Sequence, residues 1–249
     1  MGKIVKDTNS TVFFVQETKC DQSNTLKMDS FIIFEKVRVN KGGGGVAIAA
    51  KTELNPVLLS EAGGDIDALN IDINTKNISI AGTSAYGPLN SASAETKTQF
   101  WNYLYSAASS ARNTGKASIL QGDLNATLGS TIIPGHKNQK NYNGRLFEQF
   151  ILQNKLTPVN SLSLCKGVIT RQRLLVTGKK ESSSIDFYVV CDRVLPFVTE
   201  MLIDSDRKYI ATNFMNVKKG GQAIDTDHYT QVLRVKLEKC PNPKARQEI

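Results

Sequence analysis

Ala117-Ser118-Ile119-Leu120-Gln121-Gly122-Asp123-Leu124-Asn125 is the stretch that decides the fold class. A short β-prone run meets a glycine, then an acid and an amide, so a strand is predicted to end where functional polar groups begin. The same pattern recurs four times. Val12-Phe13-Phe14-Val15 leads into Gln16-Glu17-Thr18, and Ile78-Ser79-Ile80 precedes Tyr86-Gly87-Pro88. Ser184-Ile185-Asp186 stands before Phe187-Tyr188-Val189-Val190, and Asp227-His228 stands before the alternating Tyr229, Gln231, Leu233 and Val235. Ligands and catalytic groups gather at strand ends, where a rigid sheet positions loop residues. Glu17, Asp123, Asp186, Asp227 and His228 on one edge would be a costly arrangement unless a cation or a phosphate is bound there.

Outward from these clusters, further strands are predicted over 31–39, 46–50, 66–73, 77–83, 168–176, 185–190 and 229–237. Phe100, Tyr103, Leu104, Ala107 and Ala108 share one face of a helix within 93–111, and Leu146, Phe147, Phe150 and Ile151 mark a second over 144–154. Residues 3–10 read as the end of a helix leading into the first strand. Gly42-Gly43-Gly44-Gly45 lacks the Gly-Lys-Ser/Thr ending of a P-loop, so a tight hairpin is favoured over a phosphate cradle. Strands dominate and no Pro/Ser/Gly tract divides the chain. The expected architecture is one α/β domain over 1–237, two packed mixed β-sheets flanked by helices, with 238–249 as a linker-like tail.

A chain of 249 residues with 40% hydrophobic content can bury a real core. No apolar run approaches the roughly 18 residues that cross a bilayer, and Met1-Gly2-Lys3-Ile4-Val5-Lys6 lacks the apolar stretch of a secretory signal. The chain reads as soluble and intracellular, with no membrane partner. Its net charge of +8 and pI near 9.3 favour a polyanionic partner. Cys20, Cys165, Cys191 and Cys240 form no C-x-x-C pair, so a structural zinc site is not expected; Cys165 and Cys191 read as small core residues.

Taken in order, the five clusters resemble the motifs of the endonuclease/exonuclease/phosphatase family, with its DNase I-like fold, from about residue 11 to about residue 237. The resemblance implies a four-layer sandwich, phosphodiester hydrolysis, and a magnesium ion, with manganese as the alternative. Glu17 would be the magnesium ligand and Asp227 would sit beside the metal; hard oxygen donors suit that ion. Asp123 would orient or deprotonate the attacking water, and Asn125 would help hold it against the phosphate. Two residues apart on an extended segment, their side chains would face one side. His228 would contact the scissile phosphate, with Asp186 fixing its orientation and raising its pKa. Whether Asp123 or His228 removes the water's proton stays open. Tyr86 would place its hydroxyl on the phosphate. The blander readings are a surface Glu17, an Asp123/Asn125 turn, and a core Tyr86 beside a turn. His136, in a Pro-Gly loop, reads as merely exposed.

Longer phrases are more specific. Asn143-Gly144-Arg145-Leu146-Phe147-Glu148, Val159-Asn160-Ser161-Leu162, Ile169-Thr170-Arg171 and Ser183-Ser184-Ile185-Asp186-Phe187 resemble the endonuclease domain of LINE-type (non-LTR) retrotransposons. That implies nicking of double-stranded DNA to leave a 3′ hydroxyl for target-primed reverse transcription, in the nucleus, by a domain fused to a reverse transcriptase. An abasic-site repair endonuclease of the same fold and a catalytically inactive nucleic-acid-binding relative are the alternatives. Arg171 to Lys180 reads as a basic hairpin with a Thr-Gly turn, and such a hairpin would probe the DNA groove. The implied DNA-binding set is Thr170, Arg171, Arg173, Lys179, Lys180, Arg145 and Ser184, with Lys218-Lys219-Gly220-Gly221 as another basic loop. Two departures stand out. In the family a first strand ending in an asparagine precedes the Gln-Glu-Thr strand, and nothing before Val12 supplies it. An N-terminally truncated domain that binds magnesium weakly or folds incompletely is therefore the expectation. Thr170 is also followed by Arg171 where many relatives have Trp.

Overall fold

β-branched and aromatic runs form strands because their side chains pack well on a pleated, half-buried surface. The computed structural model describes residues 7–20, 22, 26–38, 44–130, 132–134, 139–175, 177–209, 216–217, 223–224 and 227–239. Strands β1 (Val12–Gln16), β2 (Phe31–Lys36) and β3 (Val46–Lys51) make an antiparallel sheet in the order β1-β3-β2. β2 and β3 pair from Phe31 opposite Lys51 to Lys36 opposite Val46, so the glycine run lies in the connection of a hairpin, as expected, but that connection spans 37–45 and is not a tight turn. Gly44 and Gly45 have left-handed φ of +81° and +83°, which suits glycine; Gly42 and Gly43 lie outside the described residues.

The larger sheet holds β4 (Val57–Glu61), β5 (Asp67–Asn74), β6 (Ser79–Tyr86), β7 (Ala117–Asp123), β8 (Leu156–Pro158) and, further on, β12 (Asp186–Cys191), in the order β4-β5-β6-β7-β12-β8. It is mixed: β6 and β7 run parallel, joined by helix α1 (Ala94–Asn113), and its other pairs are antiparallel. Ser93 caps α1, its side chain accepting from the Thr96 amide. Helix α2 (Tyr142–Asn154) starts at Asn141, whose side chain accepts from the Gly144 amide. Both helices bury Phe100, Trp101, Leu104, Phe147 and Phe150 against Ala68, Ala85, Leu120, Phe187 and Val189 on one face of the sheet.

Between β8 and β12 come β9 (Cys165–Lys166) and a hairpin of β10 (Arg171–Leu174) and β11 (Lys180–Ser183). β13 (Val198–Ile203), the small pair β14 (Asn216–Val217) and β15 (Ala223–Ile224), and β16 (Gln231–Val235) complete the strands. β16, β13 and β9 form a third sheet in that order, also mixed. It lies beside the first three strands, and a second core, Ile48, Ile71, Ile73, Ile80, Tyr188, Val190, Met201 and Ile203 among its members, fills the space between these strands and the large sheet.

The architecture is therefore mixed α/β with two packed sheet layers and a helical layer. The two helices α1 and α2 lie on the large sheet, and Asp7 and Thr8 are helical just ahead of β1, where the sequence puts the end of a helix leading into the first strand. Sequence reading did not resolve β4, β13 or the short strands β8, β9, β14 and β15. Val57, Leu58 and Leu59 of β4 are exposed on an edge, where no burial imposes alternation. Within the second layer, β1 and β16 each present an edge that pairs with no other described strand. A cavity of about 1020 Å³ separates them, with Ile73, Ile80, Ile119 and Tyr188 among the residues of the large sheet that line it.

Candidate active site

Strand register assembles the site. Asp67 pairs with Tyr86, Tyr86 with Asp123 and Asp123 with Asp186, so one row of polar residues crosses β5, β6, β7 and β12. Gly122 lets β7 approach β6: a Cβ there would stand 2.0 Å from the Ala85 carbonyl oxygen. Asp186 opens β12 beside the segment carrying His228. The His228 Nδ1 lies 2.9 Å from one Asp186 carboxylate oxygen and 3.1 Å from the other. Its Nε2 is 3.8 Å from Asp123 Oδ2 and 3.8 Å from Asp227 Oδ1. The histidine is thus pinned at one nitrogen, and the other faces two carboxylates at the cavity wall.

The electrostatics follow from burial and crowding. Burial alone would depress the His228 pKa. The hydrogen bond to Asp186 and its charge, backed by Asp123 and Asp227, reverse that and raise it to about 9. Burial and then the Asp186 charge push Asp123 up to about 8, against the downward pull of His228. A cation among these carboxylates would relieve their repulsion, and Asp123, Asp186 and His228 offer ligand atoms all within 4.8 Å of one another. Oxygen donors fit a hard divalent ion. With Nδ1 engaged by Asp186 and the ring holding its proton, His228 itself is a poor ligand.

Glu17 directly follows β1, with a left-handed φ of +52°. Its carboxylate accepts from the Tyr86 hydroxyl at 2.6 Å and lies 3.4 Å from Lys19 Nζ. Burial, with the hydrogen bond and charge of Glu17, pushes the Tyr86 phenol up, so it stays a donor. Glu17, Asp123, Asp186, Asp227 and His228 all line the one cavity.

The structure changes two readings. β7 ends at Asp123 and Asn125 adopts φ +46°, so the two do not share one side of an extended segment. Instead Asp123 Oδ1 accepts from the Asn125 amide at 2.9 Å, while the Asn125 side chain donates to the Gly87 carbonyl at 2.9 Å. Thr170 is 0% exposed and Ser184 1%, so neither presents its side chain for direct contact with DNA. Ser184 donates to the Val168 carbonyl, and Thr170 Oγ1 accepts from the amides of Ile185 and Asp186. Cys165 and Cys191 pack against the second core, as read from the sequence, and are half-buried there.

The hairpin lies where the sequence puts it, turning at Thr177-Gly178, with Gly178 at φ +77°. Arg173, Lys179 and Lys180 are exposed on it, and Arg173 pairs with Glu181. Arg171 is half-buried, its Nε 2.7 Å from Asp227 Oδ2. Arg145 is exposed and stacks over the Tyr142 ring at 5.6 Å, with Lys97 at 5.3 Å from the same ring. His136 and Lys218 to Gly221 lie outside the described residues.

Sequence reading missed several supporting groups. Gln16 donates to Ser84 Oγ at 2.9 Å and to Gln121 Oε1 at 2.7 Å, fixing β1 beside Glu17. Asn160 donates to the Asp186 carbonyl and accepts from the Tyr188 amide, both at 3.1 Å. Asn143 holds the Pro88 carbonyl at 2.7 Å. Arg38 is bound to buried Asp67 at the end of the row. Asn160 and Asn143 stood in the quoted phrases; a polar residue inside an apolar stretch was the available signal.

An acidic, histidine-bearing cavity on the edge of an α/β sandwich of two packed sheet layers defines a phosphoester hydrolase of the DNase I-like fold. Residues 2–206 match the sequence profile of the Endonuclease/Exonuclease/phosphatase family, and the chain belongs to that family. No curated protein sequence matches it. Among solved structures, the endonuclease domain of TRAS1, a telomere-specific non-LTR retrotransposon, superposes with a TM-score of 0.66 at 16% identity, over 96% of this chain and 93% of that one. The 3′-5′ exonuclease NExo from Neisseria meningitidis gives 0.68 at 15%, over 94% and 92%. The AP endonuclease LMAP from Leishmania major gives 0.68 at 14%, over 94% and 82%.

Proposed function

We propose that this chain is a magnesium-dependent DNA endonuclease that nicks one strand to leave a 3′ hydroxyl, as the nuclease of a LINE-type retrotransposon protein that also carries a reverse transcriptase. The observation that carries the proposal is His228, fixed by Asp186 and facing Asp123 in a cavity that Glu17 and Asp227 also line. In hydrolysis the water oxygen bonds to phosphorus, the bond to the 3′ oxygen breaks, and that oxygen takes a proton. His228, positively charged at neutral pH, donates from Nε2 to the phosphate and cannot accept the water's proton. Asp123, held protonated at neutral pH by burial and by Asp186, would take it once a cation bound beside it has drawn off its own proton. Tyr86, hydrogen-bonded to Glu17, keeps that carboxylate oriented and brings its hydroxyl to the phosphate. Glu17 and Asp227 would hold magnesium, which would neutralise the phosphate and assist the leaving oxygen.

Double-stranded DNA is the partner the basic charge favours, with Arg171, Arg173, Lys179, Lys180 and Arg145 as its cationic contacts and the nucleus as the compartment. The likeness to TRAS1 over nearly the whole chain supports the retrotransposon reading. The likeness to an AP endonuclease supports a second, abasic-site incision. Cleavage of intact and abasic duplexes in parallel separates them: comparable nicking of both favours the first, and strict dependence on the lesion the second.

A further inference from the structure

We infer that Thr170 is a positioning residue for the Asp186–His228 pair, acting through a buried hydroxyl that organises the turn before β12 and not through contact with DNA. Three segments converge on this one residue. Its Oγ1 accepts from the Ile185 amide at 3.0 Å and from the Asp186 amide at 3.1 Å. Its own amide donates to the Ser183 carbonyl at 3.0 Å, and its carbonyl accepts from the Tyr229 amide at 2.7 Å. Thr170 therefore ties the residue that orients the histidine to the residue that follows the histidine, with no part of it exposed.

The tie extends into the hairpin. The Gln172 amide donates to the Asp227 carbonyl at 2.7 Å, Arg171 bridges to His228, and Tyr229 Oη donates to Gln172 Oε1 at 3.2 Å. Residues 170–172 thus run alongside 227–229. The Asp186 carbonyl is held from the far side by Asn160 and Gln231, each at 3.1 Å. Asp186 is consequently clamped at its amide, its carbonyl and its carboxylate, and only the amide clamp depends on a side chain that comes from the root of the hairpin. Ile185 and Asp186 are themselves buried, so water does not replace Oγ1 if it is removed. A turn freed by such a loss lets the Asp186 carboxylate shift and the imidazole with it, and small misplacements of catalytic groups cost rate far more than binding.

The inference rests on the proposed hydrolysis, and its test has an arm that does not. Thr170→Val keeps the shape and removes the acceptor; Thr170→Ser keeps the acceptor and removes a methyl. Amide hydrogen exchange on the magnesium-loaded protein is expected to show Ile185 and Asp186 exchanging on the order of tenfold faster in Thr170→Val and near wild type in Thr170→Ser. On a nicked-plasmid assay, kcat is expected to fall by on the order of tenfold to a hundredfold in the valine variant with KM within about twofold, and serine to restore it. If Thr170→Val does not fold, Thr170→Ala against Thr170→Ser makes the same comparison. A rise in KM with kcat intact would mean a phosphate contact and overturn the inference. Unchanged exchange at Ile185 and Asp186, or a serine variant as impaired as valine at equal folded fraction, would overturn it too. If the wild type cuts no DNA, the proposed function fails, and exchange alone decides whether Thr170 holds the turn.

Discussion

His228 and Asp123 share a proton economy that sets two expectations. Each binds its proton more tightly in the folded chain than in the unfolded one. The stability His228 contributes is complete below 6.5, its unfolded value, and is lost as pH rises through about 9. That from Asp123 is likewise lost as pH rises through about 8. In EDTA the melting temperature should therefore fall between pH 6.5 and 9, and Asp123→Asn should shallow that fall; a melting temperature that climbs over the same range contradicts the assignment. Asp186→Asn should bring the His228 pKa down toward 6.5, read by NMR on a chain with only two histidines. The identities of these residues were legible because each stands at a strand end in a recognisable phrase. Thr170 and Ser184 were misread because a phrase records which residue is present and not which way it faces.

At the scale of elements, the hairpin and the helical layer carry separable work. Arg173 and Lys180 project from β10 and β11 and Lys179 from the turn between them, and the exposed Arg173–Glu181 pair offers little resistance to exchange for a phosphate. Replacing the three by alanine should weaken DNA binding and flatten its salt dependence, by up to about 0.9 in slope for each phosphate no longer neutralised. Titrations at several salt concentrations check this, and an unaltered slope would mean that the hairpin does not touch the backbone. Phe147, fully buried between α2 and the sheet, should cost about 3–5 kcal/mol when cut to alanine, measured by denaturant unfolding. Both helices were readable from apolar residues at 3.6-residue spacing. β4 was not, because an edge strand with exposed leucines has no pattern to betray it. Asn125 escaped for a related reason: its left-handed backbone is a local turn, and the spacing rule assumed an extended chain.

The whole molecule is a large sheet with helices on one face and two smaller sheets on the other. The fold class and the order of site clusters were legible, since each cluster is local in sequence. What brings them together is strand register, a long-range property: only the pairing of β5, β6, β7 and β12 puts Asp67, Tyr86, Asp123 and Asp186 in one row. The cavity between β1 and β16 was also invisible, because it belongs to no segment. Its apolar floor should bind a hydrophobic dye such as ANS, and a peptide that occupies the free strand edges should displace it. The central claim is that this site hydrolyses DNA through His228. Its most direct test is nicking of supercoiled plasmid by the wild-type chain in magnesium, alongside EDTA and His228→Ala. The account predicts open-circular product with a 3′ hydroxyl, abolished by EDTA and reduced at least a hundredfold in the variant, on the order of what positioned acid–base and electrostatic groups supply. Equal nicking by wild type and His228→Ala, or salt-dependent DNA binding with no nicking by either, would contradict it.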